Sequence, residues 1–147
     1  MLPRTKPERA QIEGVGFAGF MWSPAPGVFC GCMSGNVTRA NVDVYIEAME
    51  LVGKEHAWLD VFHDWEGVKS YQPDVRARLT TWASERYERM KGGAHVLFGS
   101  MLVAMAVTMA NAVLRRKLEV YANRAAFEQA LARTVTMSLD DRRKQRV

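Results

Sequence analysis

Apolar residues recur along this chain with two periods, and each change of period marks an element. Val42, Tyr45, Ile46, Met49 and Val52 follow the three- and four-residue spacing of a helix face, with Glu47 and Glu50 between them. Thr38 stands where an N-cap hydroxyl would satisfy a free backbone N–H, and Gly53 where such a helix stops. A second stripe, Val75, Leu79, Trp82, Ala83 and Met90, follows Pro73 and ends at Gly92 and Gly93. Arg76, Arg78, Glu85, Glu88, Arg89 and Lys91 cover most of its other positions. "MLVAMAVTMANAVL" (101–114) is apolar almost throughout and reads as a buried helix capped by Ser100. Arg115, Arg116 and Lys117 follow it, cations that a helix dipole favours at this end. "RAAFEQALAR" (124–133), capped by Asn123, turns Phe127, Ala130 and Leu131 inward.

Between these helices the period shortens to that of strands. "IEGVGFAGFMW" (12–22) and "VFCGCMSG" (28–35) flank the turn residues "SPAPG" (23–27) and predict a hairpin with a long connection. "AWLDVF" (57–62) is a short apolar run, consistent with a strand buried on both faces. It leads into a polar loop holding His63, Asp64, Trp65, Glu66, Ser70 and Tyr71. "AHVLFG" (94–99) and "LEVYA" (118–122) complete the set. Strands alternating with helices need crossover connections, so the expected fold is α/β. It is a mixed, mostly parallel sheet of about five strands with helices packed against it. Residues 1–11 read as a flexible leader, 12–134 as the domain and 135–147 as a basic C-terminal tail.

Composition narrows the function classes. The chain of 147 residues suits one domain with its own core, and 48% hydrophobic with 24% charged residues is ordinary for a globular protein. The net charge is +4, yet Arg142, Arg143, Lys144 and Arg146 alone supply that excess, which argues against a broad nucleic-acid surface. The N-terminal residues carry charge with no apolar run after them, so no secretory signal is expected. The run 101–114 makes about 21 Å of helix, short of a hydrocarbon core of roughly 30 Å, so no transmembrane segment is expected. Cys30 and Cys32 are two apart and cannot easily bridge each other in a strand. Free thiols and the missing signal point to the cytoplasm.

No motif carries an obvious chemistry. His63 and Asp64 are adjacent, and neighbours rarely orient each other as a catalytic pair. Ser100 joins a strand to a helix, but a nucleophile elbow needs glycines where Phe98 and Leu102 stand. Gly14, Gly16 and Gly19 spell a dinucleotide fingerprint that opens no helix. Cys30, Cys32, His56, His63 and His95 lack the paired spacing of a metal site. No catalytic residue, cofactor or metal is therefore expected. Met101, Met105 and Met109 form one helical stripe, mainly a core feature but also a recurrent feature of adaptable binding surfaces.

Four segments together resemble a known family: "MSGNVTRANVDVYIEAM", the strand "LDVF", the join "VLFGSMLVAMAV" and "LEVYANRAAFEQAL". From about Gly27 to Arg133 the chain is similar to STAS domains and their SpoIIAA-like relatives, whose fold is shared in part by lipid-carrying CRAL-TRIO domains. The resemblance implies a non-enzymatic regulatory module that binds another protein in a cytoplasmic, bacterial-type pathway. Ser70, ten residues beyond Asp60, lies near the place of that family's regulatory serine, within Lys69-Ser70-Tyr71-Gln72 rather than the family's Asp-Ser-x-Gly. The partner-binding residues expected on this reading are Trp65, Ser70, Tyr71, Arg76 and Arg78, an aromatic and arginine mixture typical of hot spots. A homodimer is a candidate assembly, since small proteins commonly pair symmetrically. The alternative is a carrier or sensor of a small apolar ligand, with a cavity lined by Trp58, Trp82, Met101, Met105 and Met109.

Overall fold

The computed structural model describes residues 5–14, 16–56, 58–89, 92–115 and 118–145. The order is β1 (Thr5–Gly14), β2 (Phe17–Ala25), β3 (Val28–Val37), α1 (Arg39–Lys54), β4 (Asp60–Tyr71), α2 (Pro73–Arg89), β5 (Ala94–Phe98), α3 (Met101–Val113), β6 (Leu118–Tyr121) and α4 (Arg124–Gln145). The strands form one sheet in sequence order, β1-β2-β3-β4-β5-β6. The first two pairings are antiparallel and the remaining three parallel. The fold is thus the expected mixed, mostly parallel α/β sheet.

The crossovers place α1, α2 and α3 on one face, as right-handed connections in sequential order require. That face buries Val42, Tyr45, Val75, Trp82, Val103 and Val107 against Phe29, Met33, Val61 and Val96. The long helix α4 covers the other face, packing Phe127, Ala130, Leu131 and Val135 on Ala25, Val28, Cys30, Phe62 and Leu97. The α1 cap is a reciprocal box: the Thr38 hydroxyl accepts from the Asn41 N–H while the Asn41 side chain accepts from the Thr38 N–H.

Several boundaries differ from the sequence reading, each for a physical reason. The sheet has six strands because β1 takes up residues 5–11 of the supposed leader; residues 1–4 lie outside the described set. The run 12–22 is not one strand, because Gly16 turns there with φ +68 and separates β1 from β2. The β2–β3 connection is tight rather than long: Gly27 takes φ +69, and the Ser23 hydroxyl donates to the carbonyls of Ala25 (2.9 Å) and Val28 (2.8 Å) across the turn. Backbone pairing also overrides the polar texture after Phe62: His63 to Tyr71, read as a loop, continue β4, paired with β5 as far as Trp65 and with β3 as far as Tyr71. That strand begins at Asp60, and Ala57 lies outside the described residues.

Two further expectations fail on packing. The supposed basic tail 135–147 is helical as far as Gln145, because Val135 and Ser138 are buried beneath the sheet. Arg146 lies outside the described residues. Helix α3 is not a buried helix: Val103 and Val107 are buried, whereas Met101 is 76% exposed, Met105 62%, Met109 52% and Val113 68%. With a three-helix layer on one face and α4 on the other, α3 has the sheet beneath it and α2 beside it, and nothing among the described residues lies over it. Met90, Arg116 and Lys117 lie outside the described residues.

Candidate functional site

The distinctive feature of this molecule is a cavity of about 90 Å³ between the sheet, α2 and α3. Its floor comes largely from β4. Along a regular strand only alternate residues share a face, so Val61, His63 and Trp65 would exclude Val68. Two register shifts against β3, one between Asp64 and Gly67 and one between Val68 and Ser70, each insert an extra residue. The result is that Val61, His63, Trp65, Val68 and Tyr71 all line the cavity. Its roof comes from α2 and α3, where Thr80 and Ala83 line it together with Ala106 and Ala110. These small side chains leave the space that larger ones would fill. Each is partly exposed, which sets the mouth of the cavity between the two helices.

At the inner end, aromatic and imidazole rings are stacked. The Tyr45 hydroxyl and His63 Nδ1 are hydrogen-bonded at 2.6 Å, and the His63 ring stacks on Trp65 at 4.5 Å between centroids. Phe29 meets Tyr45 edge-on at 5.4 Å. Tyr45 fits only because Gly31 lies beneath it, where a Cβ would collide with the phenol. Burial, with Arg86 and His95 adding to it, lowers the His63 pKa to about 3, and burial raises that of Tyr45. Both are therefore neutral near pH 7. The Trp65 indole Nε1 is buried without a hydrogen bond of normal geometry, although it lies near the Tyr45 hydroxyl. Arg86 donates to the Leu59 carbonyl at 2.8 Å and lies over the Trp82 ring.

The structure sorts the anticipated site residues into different places. Trp65, Tyr71 and Arg76 line the cavity and are each partly exposed, and Arg78, also partly exposed, is bonded to Asp43 at 3.4 Å. The Ser70 hydroxyl donates to the Asn36 side chain at 2.6 Å, within a strand rather than at a helix start. Of the ligand-lining set only Trp82 lines the cavity, its indole donating to Glu50 at 2.6 Å. Trp58 packs instead over Gly27, and Met101, Met105 and Met109 lie on the outer side of α3. No protein-family model matches this chain, and no curated protein matches it either.

The remaining candidates are also placed. His63 and Asp64 point to opposite faces and form no pair: Asp64 accepts from Arg124 at 2.8 Å on the α4 side. Ser100 caps α3, accepting from the Val103 N–H at 3.2 Å. Cys30 is buried and Cys32 partly so, and burial raises both thiol pKa values. Among the described residues no helix is long and apolar enough to cross a membrane. The sequence reading missed Tyr45 as the partner of His63, and it missed Ala106 and Ala110. The signal for the alanines was present as small residues four apart on one helix; that for Tyr45 required knowing that β3 and β4 are neighbours.

The depressed His63 gives a stability–pH prediction. The unfolded chain binds a proton at this residue near pH 6.5, while the folded chain resists it until about pH 3. Stability contributed by the neutral ring is therefore complete above pH 6.5 and is lost progressively as the pH falls, by up to about 1.4 kcal/mol per unit. His95, also lowered by burial, acts in the same direction. Thermal melts at pH 6.5 and 5.0 are expected to show a drop that H63Q reduces. An equal drop in H63Q would assign the effect to other groups.

Proposed function

We propose that this chain is a non-enzymatic, STAS-like binding module of the cytoplasm that holds a small apolar ligand in the cavity between α2, α3 and the sheet. The cavity carries the reading. Native interiors rarely leave voids larger than a water, which needs about 10–15 Å³. A fully enclosed space of about 90 Å³ would cost on the order of 2 kcal/mol if empty, and this one, open at its mouth, costs less than that. A ligand that fills it recovers that loss. The walls select for apolar chemistry, since Val61, Val68, Val96, Val103 and Val107 line them. Neutral His63 and the Trp65 indole N–H at the inner end suit one hydrogen-bonding group, such as a hydroxyl or carbonyl.

The binding reading also has support from what the ionisable groups do. The Tyr45 hydroxyl has His63 beside it at 2.6 Å and the Tyr121 hydroxyl has His95 at 3.0 Å, but burial raises both phenol pKa values and lowers both imidazole ones, which weakens each as nucleophile and as base. The partner-protein reading of Trp65, Ser70, Tyr71, Arg76 and Arg78 has less support, because three of those five line the cavity. The native mass of protein purified from its own cells tests the proposal. The expected result is an increment of roughly a hundred daltons, the size that such a space holds, which is lost on denaturation and can be extracted into organic solvent. A bare chain mass, with no uptake of added apolar compounds, would overturn it.

A further inference from the structure

The outer side of α3 is the largest feature that the cavity does not explain. Met101, Met105 and Met109 lie four apart, and Leu102 and Val113 flank them, all at 45% exposure or more. At the helical repeat these five positions fall within about a third of the circumference, opposite Val103 and Val107. Single exposed apolar residues are ordinary, but five adjoining ones form a patch on the order of a few hundred Å², at the upper end for a surface with no partner. No Asp, Glu, Lys or Arg occurs between Met101 and Leu114.

Charge at the border says what fits there. The Arg76 guanidinium on α2 reaches the Met109 sulfur at 3.1 Å, so a cation stands directly beside the stripe. Arg115 is exposed just past the end of α3, and Arg116 and Lys117 come next in the sequence. Among the carboxylates on neighbouring elements, Glu66 pairs with Arg124, Asp74 with Arg39, and Glu119 with His95 and Tyr121. The face therefore combines an apolar strip with a cationic margin.

We propose that this face of α3 docks on anionic lipid bilayers. The helix lies in the plane of the headgroups with its methionines in the acyl boundary, while Arg76 and Arg115 meet lipid phosphates. Methionine suits this role because it adapts to an irregular apolar surface. A second copy of the chain fits less well. A two-fold interface pairs the same patch from both copies, and that patch carries Arg76 and Arg115 at its margin with no carboxylate along α3 to meet them. The proposal concerns the outside of α3 and stands independently of what fills the cavity.

Co-sedimentation with phosphatidylcholine vesicles containing 30% phosphatidylglycerol, and with phosphatidylcholine alone, tests it. The expected result is binding at least tenfold stronger to the anionic vesicles and weaker at high salt. M101E/M105E keeps Met109 and its Arg76 contact and should abolish sedimentation without lowering the melting temperature. R76E/R115E should remove the preference for anionic lipid. A variant with a filled cavity, A106F, should still bind vesicles, which separates this proposal from the ligand reading. Absence of vesicle binding would overturn the proposal, as would equal binding to both compositions. A native mass of two chains reduced to one by M101E/M105E, with no vesicle binding, would assign the face to self-association instead.

Discussion

Gly31→Ala is expected to lower the stability of the fold by about 3 kcal/mol, the sum of an overpacking cost and a buried hydrogen bond displaced. The sign is unusual. A glycine inside a strand ordinarily loses entropy on folding, so alanine there gains roughly 0.5–1 kcal/mol. At Gly31 the new Cβ would collide with the Tyr45 hydroxyl and ring edge. Tyr45 is fully buried and cannot swing outward, and its hydroxyl is tied to His63 at 2.6 Å. The collision must therefore be relieved by shifting α1 or by breaking that bond. Either change also disturbs the His63–Trp65 stack at the inner end of the cavity. Chemical denaturation of G31A, Y45L and the double variant measures the coupling. The double variant should lose less than the two single losses added together, because leucine has no ring edge to meet the Cβ. Strict additivity would show that the cost at Gly31 comes from the strand and not from Tyr45.

Ala106→Phe is expected to reduce the bound apolar species by about tenfold or more, a difference of 1.4 kcal/mol or greater. Ala106 lines the cavity from α3, opposite the α2 side chains Thr80 and Ala83. A phenyl ring placed there occupies the space that the ligand would take. Filling a void restores contacts with its walls, so the ligand-free protein should melt at the same temperature or higher, gaining up to about 2 kcal/mol. Loss of ligand with gain of stability is a combination that simple misfolding cannot produce. A110L applies the same logic one helical turn further along, in case the ring at 106 wedges α3 away from the sheet. Both variants, purified as the parent is, would be compared by native mass and by thermal melting. Full retention of the ligand in both would place it outside this cavity and sink the proposal.

Residue pattern and tertiary structure contributed different parts of this description. Local chemistry made the helices legible: the spacing Val42, Tyr45, Ile46, Met49, the Thr38 cap and the Ser100 cap all hold as read. The alternation of strands with helices led to the α/β sheet, because a parallel pair needs a crossover. Polar texture misled where a strand was central. His63 to Tyr71 look like a loop because half of them are polar, yet β3 supplies backbone partners as far as Tyr71 and β5 supplies them on the other side as far as Trp65. Asp64 and Glu66 find Arg124 on α4, sixty and fifty-eight residues away in the chain.

The candidate site was scarcely legible for the same reason. A cavity is a property of what surrounds it, and its walls here come from three helices and four strands. Which way Trp65 and Tyr71 point depends on two register shifts in β4, and these follow from its pairing with β3 rather than from the order of its residues. The methionine stripe was visible from spacing alone. Whether it faced a core or the exterior was decided only by assembly, since α3 packs on the sheet through Val103 and Val107 and leaves its other side open. Periodicity reports that a helix has an apolar face; only the count of layers around it determines how many faces are covered.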